Sequence, residues 1–282
     1  MNLSVIIPAH NEEGCIAATL RAVYARLEAE VIPHELLVVN DNSSDGTASI
    51  LAALCSEIPT LVVVDNAPPN GFGLAVRRGL AEFSGDVAAI YMADASDTPA
   101  DLVRFYRILI EKNVDCVFGS RFSRGGRVVD YPLPKLVLNR LANTFIQFLF
   151  GMRYNDVTNA FKMYRRSVVE GMQPLFSNHF NLTVEMPLKA IVRGYSYAVV
   201  PNEWINRKTG ISKLKIKEMG SRYLFIVLYC FLEKWLSRGD YHSLKSGGTT
   251  GVPGSKASQS AGAAPAISTI TTSGTAPTIL GE

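Results

Sequence analysis

Two acidic residues follow a hydrophobic run of the sequence and are candidates for metal chemistry. Asp94 and Asp97 come just after the run Val87–Met92. Mg²⁺ and Mn²⁺ prefer carboxylate oxygens and are commonly held by one or two carboxylates together with the phosphates of a substrate. This pair therefore predicts a divalent-metal site, with the alternative that Asp97 only caps a helix beginning at Pro99.

A second set of residues stands where a nucleotide would bind. Asp41 follows the run Leu36–Val39 and can accept hydrogen bonds from base N–H or ribose hydroxyl groups. Gly71 and Gly73 open a helical segment, where glycine permits close approach of a ligand, although turn chemistry explains such a pair equally well. His10 is a candidate for stacking on a nucleobase. The other members of this set are Pro8, Ala9, Asn11, Glu12 and Ala93.

Hydrophobic runs alternating with helical spacing predict the elements that carry these residues. Almost unbroken apolar runs predict strands at Leu3–Ile7, Leu36–Val39, Leu61–Asp65, Val87–Met92 and Val114–Gly119. Apolar residues at three- and four-residue steps predict crossover helices at Glu13–Glu28, Thr47–Cys55, Leu74–Phe83 and Pro99–Glu111. This order predicts an α/β fold with a doubly wound, mostly parallel sheet, in which ligands bind beyond the carboxyl ends of the strands.

The regular alternation ends after Ser120, and we expect a second lobe or lid to begin there. The later elements predicted are helices at Pro134–Phe150, Thr183–Arg193 and Ile216–Leu236 and a strand at Tyr197–Pro201. Charged residues interrupt the last helix too often for it to span a bilayer alone. We expect a main domain over residues 1–215, a membrane-proximal helix over 216–238 and a disordered low-complexity tail over 243–282.

The composition narrows the class of protein. Of 282 residues 48% are hydrophobic, which is enough for a full core, and a net charge of +3 is too small to indicate a nucleic-acid partner. The four cysteines lie far apart, which argues against a zinc site and against a secreted disulfide framework. Because no basic leader precedes the first apolar run, we expect a cytoplasmic protein.

Several stretches, taken in order, resemble the family 2 glycosyltransferases of GT-A fold, and within them the dolichyl-phosphate mannosyltransferase branch. The resemblance covers about Leu3 to Leu236. It rests on Pro8–Glu12, Asn40–Thr47, Gly119–Arg121, Asp156–Lys162 and Arg207–Leu214. It implies inverting transfer of a hexosyl group, with mannose as the first candidate, from a nucleotide-diphosphate sugar to polyprenyl phosphate at the cytosolic face of a membrane. It also implies Mg²⁺ or Mn²⁺ as cofactor.

The resemblance assigns the metal ligands and shows two departures. Asp94 falls on the family's second metal aspartate and Ser96 on its later metal position. Met92 stands where the family has its first metal aspartate. Either Asp97 substitutes for this missing ligand, or the donor diphosphate holds more of the metal. Ala160 stands where the family usually has glycine, and we expect only a local adjustment from the added methyl group.

The acceptor determines what else the site needs. A phosphate monoester, with a second pKa near ~6, is already an anionic nucleophile at neutral pH, so no catalytic base is required. Arg121, Lys135 and Asn139 match the acceptor-phosphate positions of the resembling family, although a solvated helix face also explains the last two. We expect Asp94, through the metal, and Arg207 to stabilise the departing diphosphate. The predicted catalytic residues are therefore Asp94, Arg121 and Arg207.

The last helix predicts contact with a membrane surface. Between Lys189 and Arg238 ten Lys and Arg stand against three acids, a local balance of +7. Such an excess attracts an anionic leaflet, and Tyr223–Leu232 with Trp235 offers apolar and aromatic surface. The alternatives are that the helix packs on its own domain or on a second subunit, or that a small membrane subunit binds it.

Two other functions remain open. A family 2 transferase with a hydroxyl acceptor, in glycolipid or polysaccharide synthesis, would require a carboxylate base close to the sugar. A catalytically silent nucleotide-sugar binding protein is the second, because Met92 replaces a metal ligand of the resembling family. We expect Glu185 to pair with a nearby Lys or Arg and to take no part in catalysis.

Overall fold

The computed structural model describes residues 1–206 and 216–242 and contains a seven-stranded central sheet. The strands are β1 Leu3–Ala9, β2 His34–Asn40, β3 Leu61–Asp65, β4 Val87–Ile90, β5 Cys116–Ser120, β6 Arg127–Val129, β7 Lys162–Arg165, β8 Tyr197–Pro201 and β9 Glu203–Ile205. The helices are α1 Ile16–Ala29, α2 Thr47–Leu54, α3 Phe72–Glu82, α4 Pro99–Glu111, α5 Leu133–Phe150, α6 Arg166–Gly171, α7 Leu182–Val192 and α8 Ile216–Leu236. Arg207 and the predicted tail 243–282 lie outside the described residues.

The first half of the chain forms the alternating pattern that the sequence predicts. β1 pairs in parallel with β2 and β4, and β2 pairs in parallel with β3. The strand residues are apolar on both faces because α1, α2 and α4 cover one face, while α3, α6 and α7 cover the other. The predicted doubly wound, mostly parallel α/β fold is confirmed.

The chain after Ser120 returns to the central sheet, so this part of the chain does not as a whole form the predicted second lobe or lid. β7 lies antiparallel between β4 and β5, and β8 pairs in parallel with β5. β7 has four residues, and its terminal Lys162 and Arg165 interrupt the apolar pattern by which a buried strand is recognised. The order of the sheet is β3-β2-β1-β4-β7-β5-β8, and β6 and β9 form a separate two-stranded sheet.

The long helices α5 and α8 contact each other on one side of the central sheet. α5 ends at Gly151, whose φ of 61° lies in the left-handed region that glycine adopts without a side-chain clash. α8 packs on α7 through Ile226, Val227 and Cys230. In the part of the chain that the structure describes, no helix is long and apolar enough to cross a membrane.

A buried ion pair also joins α8 to the end of α7. The guanidinium of Arg193 donates to both carboxylate oxygens of Glu233, at 2.7 and 3.1 Å, and to the carbonyls of Gly171 and Gln173. The opposite face of α8 is exposed. Packing of the helix on its own domain, one of the alternatives from the sequence, is therefore present, and the helix keeps a second apolar face for another contact.

Candidate active site

The predicted metal-binding residues Asp94, Ser96 and Asp97 lie in the loop between β4 and α4, and we call them the metal group. Asp94 Oδ1 accepts a hydrogen bond from the Ser96 amide at 3.1 Å. Thr98 caps α4, because its hydroxyl accepts the amide of Asp101 at 3.1 Å. The alternative that Asp97 serves only as the helix cap is therefore wrong, and Asp97 is among the residues that line a cavity in front of the loop.

The electrostatics of the metal group favour a bound cation. Burial and the charge of Asp94 raise the pKa of Asp97 to about 8. Asp97 Oδ1 and Ser96 Oγ are buried and have no hydrogen-bond partner within the described part of the chain. Among all the residues that the structure describes, no three His, Cys, Asp or Glu side chains form a cluster that could hold a metal ion. Two carboxylates and a hydroxyl fit Mg²⁺ or Mn²⁺, which complete their shell with water and substrate phosphates.

The cavity in front of the metal group has a volume of about 530 Å³ and two chemically different parts. Its polar part contains the metal group, Arg121 and side chains of the segment Asp156–Lys162. Its apolar part lies between α5 and α8. The apolar lining includes Leu138, Ala142, Phe145, Ile146, Phe180, Leu224 and Val227. Met92 and Ala160, the two departures from the resembling family, also line this cavity.

Arg121 is buried at the polar end, where Asp156 holds its guanidinium in place. Nε and Nη2 donate to the two carboxylate oxygens of Asp156 at 2.8 and 2.7 Å, and the Arg121 amide donates to the same carboxylate at 2.9 Å. Although burial opposes charge, Asp156 raises the pKa of Arg121 above its ordinary value. The guanidinium is thus a fixed positive charge at the cavity wall.

Two further predicted acceptor residues, on α5, line the same cavity. Asn139 donates to Thr158 Oγ1 at 2.8 Å, and buried Asn143 donates to the same hydroxyl at 3.0 Å. Arg121 Nη2 lies 3.5 Å from this oxygen. Lys135 stands about one turn before Asn139 and is half-buried. The structure thus brings Arg121, Lys135 and Asn139 together from two separate parts of the chain.

Of the predicted nucleotide residues, His10, Asp41 and Gly71 lie together, and none of them lines this cavity. The Asp41 carboxylate accepts hydrogen bonds from Asn66 Nδ2 and the Gly71 amide, both at 2.7 Å. His10 Nδ1 lies 2.6 Å from the Asp41 carbonyl oxygen, and its Nε2 lies 3.4 Å from Asn70 Nδ2. Asp41 is buried, so its carboxylate organises the loop around it as well as offering acceptor atoms.

Several members of the predicted nucleotide set have structural explanations. A Cβ atom on Gly71 or Gly73 would lie 2.5 or 2.4 Å from a backbone oxygen of the segment 177–179, so packing requires both glycines. Asn11 accepts the Ser44 amide at 2.7 Å, and the Glu12 amide donates to Thr47 Oγ1 at 2.9 Å. Turn and packing chemistry therefore account for the two glycines. Ala9 and Ala93 are buried, and Pro8 is half-buried at the end of β1.

The order of the sheet arranges the predicted groups along one edge. Asp41 follows β2, the metal group follows β4, and Arg121 follows β5. β2 lies two strands from β4 on one side, and β5 lies two strands from β4 on the other. Neighbouring strands are spaced about 4.8 Å apart, so the ends of β2 and β4, and those of β4 and β5, are ~10 Å apart. A nucleotide base, a diphosphate and an acceptor phosphate fit this sequence of positions.

Sequence reasoning missed three contributors to the site and assigned one nearby residue correctly. It gave no role to Asp156, or to Tyr131 and Trp204, which line the cavity. Charge pairing and ring stacking between distant segments leave no periodic signal in the sequence. Glu185 pairs with buried Lys189 at 2.8 Å and accepts two backbone amides, as a structural ion-pair partner would.

The doubly wound sheet with a carboxylate pair beyond β4 is the arrangement that the resemblance to glycosyltransferases of GT-A fold predicts. Residues 4–172 match the family model for glycosyl transferase family 2. The chain belongs to this family and is a glycosyltransferase.

Curated relatives narrow the subgroup. The chain is 30% identical to the polyprenol monophosphomannose synthase of Mycolicibacterium smegmatis over 221 residues, which are 74% of this chain and 80% of that protein. It is 25% identical to the undecaprenyl-phosphate mannosyltransferase of Micrococcus luteus over 240 residues, which are 83% of this chain and 96% of that protein.

Solved structures share the fold. Glucosyl-3-phosphoglycerate synthase from Mycobacterium tuberculosis, crystallised with Mn²⁺, UDP and phosphoglyceric acid, has a TM-score of 0.61 and 19% identity. The match covers 83% of this chain and 78% of that chain. The same enzyme with Mn²⁺, UDP-glucose and phosphoglyceric acid has a TM-score of 0.62 at 18% identity, covering 83% of this chain and 79% of that chain. This likeness supports the GT-A fold.

Proposed function

We propose that this glycosyltransferase transfers a hexosyl group, with mannose as the first candidate, from a nucleotide-diphosphate sugar to polyprenyl phosphate, with inversion at the sugar. The observation that carries the proposal is one cavity that joins the metal group, Arg121 and an apolar passage between α5 and α8. A phosphate on a long apolar chain requires this combination. The names of both curated relatives, a polyprenol monophosphomannose synthase and an undecaprenyl-phosphate mannosyltransferase, support the same acceptor class.

The metal group would hold the donor diphosphate. Asp94 and Asp97 supply carboxylate oxygens, and Ser96 supplies a buried hydroxyl that has no hydrogen-bond partner among the described residues. A bound Mg²⁺ or Mn²⁺ supplies positive charge that stabilises the departing diphosphate. Asp41, two strands away, is in reach of the nucleoside part of the same donor. Arg207 is proposed to assist the leaving group and lies outside the described residues.

The acceptor phosphate would be held by fixed cations and amides. An oxygen of the lipid phosphate forms a bond to the anomeric carbon while the bond from that carbon to the donor diphosphate breaks, and no proton moves. Arg121 keeps its charge because Asp156 is its counter-ion. Lys135 and Asn139 line the same wall. These groups bind a phosphate without protonating it, so it remains an anionic nucleophile.

The apolar passage suits the first isoprene units of the acceptor. It lies between two helices that both carry exposed apolar side chains. We call this exposed surface the apolar face; it consists of Leu133, Val137, Leu141, Phe145 and Phe148 of α5 and Leu224, Phe225, Leu228, Leu232, Trp235 and Leu236 of α8. Phe148 is 88% exposed and Phe225 is 62% exposed. A patch of this kind marks an interaction surface, and we propose that it rests on the membrane that contains the lipid.

Two of the ten cations counted from the sequence are buried with acidic partners, and because Glu233 is among the three acids counted, the balance falls only from +7 to +6. Lys189 and Arg193 are buried in pairs with Glu185 and Glu233, so these two cations do not face a leaflet. Lys234 and Arg238 are exposed near the end of α8, whereas Arg207, Lys208, Lys213 and Lys215 lie outside the described residues. The apolar face therefore carries most of the argument for membrane contact.

Sugar transfer to matched acceptors tests the reaction. Nucleotide-sugars are first screened by thermal shift, because a bound ligand raises apparent stability. The donor that binds is then incubated with Mn²⁺ and either undecaprenyl phosphate or undecaprenol. We expect product only with the phosphate and complete loss of product with EDTA. Product with undecaprenol would favour the hydroxyl-acceptor function, and donor binding without turnover on either acceptor would favour the silent binder.

Lys135→Met tests the acceptor assignment without disturbing the buried Arg121–Asp156 pair. Losing a charge-assisted phosphate contact costs ~1.5–3 kcal/mol, or roughly ten- to a hundredfold in kcat/KM for the lipid. We expect this loss together with unchanged nucleotide affinity. Lys112→Met, at the exposed end of α4, is the matched control. Weakened nucleotide binding with unchanged dependence on the lipid would contradict the assignment.

Flotation with liposomes tests the membrane contact. The protein is expected to float with vesicles that contain anionic lipid, and Phe225→Glu on the apolar face is expected to reduce the floating fraction. Val31→Glu, which changes an 86% exposed apolar residue outside that face, is the control. If the unmodified protein ignores anionic vesicles at low salt, direct docking is wrong and a small membrane subunit becomes the better explanation.

A further inference from the structure

We propose that Trp204 and Tyr131 form an aromatic platform on which the transferred sugar packs, so that Trp204 is a positioning and specificity-determining residue. This inference rests on the proposed function, because it takes the cavity to hold a nucleotide-sugar. The platform would fix the sugar ring between the metal group and Arg121.

The backbone holds Trp204 beside the metal group from two sides. Trp204 lies in β9 and pairs with Val128 of β6. It also forms an isolated antiparallel bridge with Asp97, and the amide of Ile205 donates to the carbonyl of Ser96 at 3.1 Å. The position of the indole is therefore coupled to the loop that would bind the metal.

The Tyr131 side chain meets Trp204 from the segment that follows β6. The two rings lie 5.0 Å apart between centroids, with an interplanar angle of 61°. Asn206 secures this arrangement, because its amide donates to the carbonyl of Val129 and its side chain donates to the carbonyl of Asp130, both at 3.0 Å. Both rings are half-buried and line the cavity.

The location of the two rings indicates contact with the sugar of the donor, and not with its base or with the lipid acceptor. The base would lie near Asp41, which follows β2 and does not line this cavity, whereas the apolar passage for the lipid lies between α5 and α8. Trp204 contacts the metal loop, and the Arg121 guanidinium lies 5.9 Å from the centroid of the Tyr131 ring. The platform thus stands between the donor diphosphate and the acceptor phosphate, where the transferred group must be.

The chemistry of the rings suits a pyranose. A sugar ring presents C–H groups on one face and hydroxyl groups around its rim. Indole and phenol rings offer apolar area for the C–H face, together with N–H and O–H groups that can bind a hydroxyl. Which hydroxyl groups are axial determines which sugar lies flat on the indole with its edge against the phenol ring, so this contact would discriminate between hexoses.

The test compares nucleotide-sugar affinity with nucleotide affinity. Dissociation constants for GDP-mannose, GDP, UDP-glucose and UDP are measured by calorimetry with Mg²⁺ for the unmodified protein, Trp204→Ala, Trp204→Phe and the control Tyr195→Ala. Tyr195 is a half-buried aromatic residue that does not line the cavity. We expect Trp204→Ala to weaken the nucleotide-sugar that binds by about tenfold and the matching nucleotide by less than about twofold. Trp204→Phe should recover most of the loss.

Tryptophan fluorescence provides a second readout that a purely structural role would not change. The chain has two tryptophans, so Trp235→Phe leaves Trp204 as the single reporter. Its emission is expected to change on saturation with the nucleotide-sugar and to change much less with the nucleotide alone.

Three results would overturn the platform. Equal losses of nucleotide and nucleotide-sugar affinity in Trp204→Ala would assign Trp204 to general stability or to the base. Unchanged affinities with a raised KM for undecaprenyl phosphate would assign it to the acceptor. Equal fluorescence changes with nucleotide and nucleotide-sugar would also contradict a contact with the sugar. Failure of the unmodified protein to bind any nucleotide-sugar would instead refute the proposed function.

Discussion

Replacing Asp156 by Asn tests how much the site depends on one buried ion pair. The side chain of Arg121 is 7% exposed and that of Asp156 is fully buried, and two hydrogen bonds of 2.8 and 2.7 Å join them. Asparagine keeps the size of the side chain but leaves the guanidinium buried without a counter-charge. Breaking one partner of such a pair typically costs ~3–5 kcal/mol of unfolding free energy.

The pair formed by Arg21 and Glu57 is a matched control. It has the same bidentate geometry, with distances of 2.7 and 2.8 Å, but its side chains are 55% and 48% exposed. Water already solvates both of these charges, so Glu57→Gln is expected to leave stability unchanged within measurement error. The contrast between the two substitutions isolates the effect of burial, because the contacts themselves are alike.

Urea denaturation measures the difference. For a slope of about 3 kcal/mol/M, Asp156→Asn should lower the urea midpoint by ~1–1.7 M. A double variant with Arg121→Met and Asp156→Leu should recover part of this loss, since it leaves no unpaired charge in the interior. Equal midpoints for Asp156→Asn and Glu57→Gln would refute the reasoning that burial determines the cost.

Three further predictions concern the metal, pH and α8. Asp94→Ala should abolish turnover without lowering thermal stability, and excess Mn²⁺ should not restore activity; normal turnover would remove Asp94 from the metal group. Burial raises the pKa of Glu35, but hydrogen bonds from Ser4 and Ser84 outweigh it and lower that pKa. The stability that Glu35 contributes is therefore complete above pH ~4.3, the pKa in the unfolded chain, and is lost progressively as the pH falls toward the lower pKa of the folded protein. The urea midpoint should consequently fall less between pH 6 and pH 3.5 in Glu35→Gln than in the unmodified protein. Glu233→Gln should accelerate hydrogen exchange in α8, because it leaves a buried guanidinium without its partner; unchanged exchange would argue against this anchor.

The parts of the fold that follow from local chemistry could be predicted from the sequence. The predicted helix Pro99–Glu111 has the bounds of α4, and the predicted strands Leu61–Asp65 and Tyr197–Pro201 have those of β3 and β8. Each segment has either a clear helical spacing of apolar residues or an unbroken apolar run, and polar or turn-forming residues flank it. The observed β1 and β2 extend two or three residues beyond their predicted bounds, because backbone pairing with neighbours continues past the apolar run.

The parts that depend on long-range contacts could not be predicted. β7 is a short strand with charged ends, and only its insertion between β4 and β5 makes it a strand. The sequence predicts that Gly71 and Gly73 permit close approach of a ligand, yet the segment 177–179, about a hundred residues later in the chain, explains both by packing. The buried pair of Arg193 with Glu233, forty residues later in the chain, likewise leaves no signal in the sequence.

The distribution of carboxylates bears on which acceptor the enzyme uses. A hydroxyl acceptor needs a general base beside the sugar, whereas a phosphate acceptor does not. Among the described residues, the carboxylates that line the cavity are Asp94 and Asp97, and both belong to the metal group. Asp156 is committed to Arg121, and Glu185 is committed to Lys189 and two backbone amides. Residues 207–215 contain no Asp or Glu. Among the side chains that the structure describes, a metal at Asp94 and Asp97 would therefore leave no carboxylate of the cavity to act as base, which favours an acceptor that arrives already ionised.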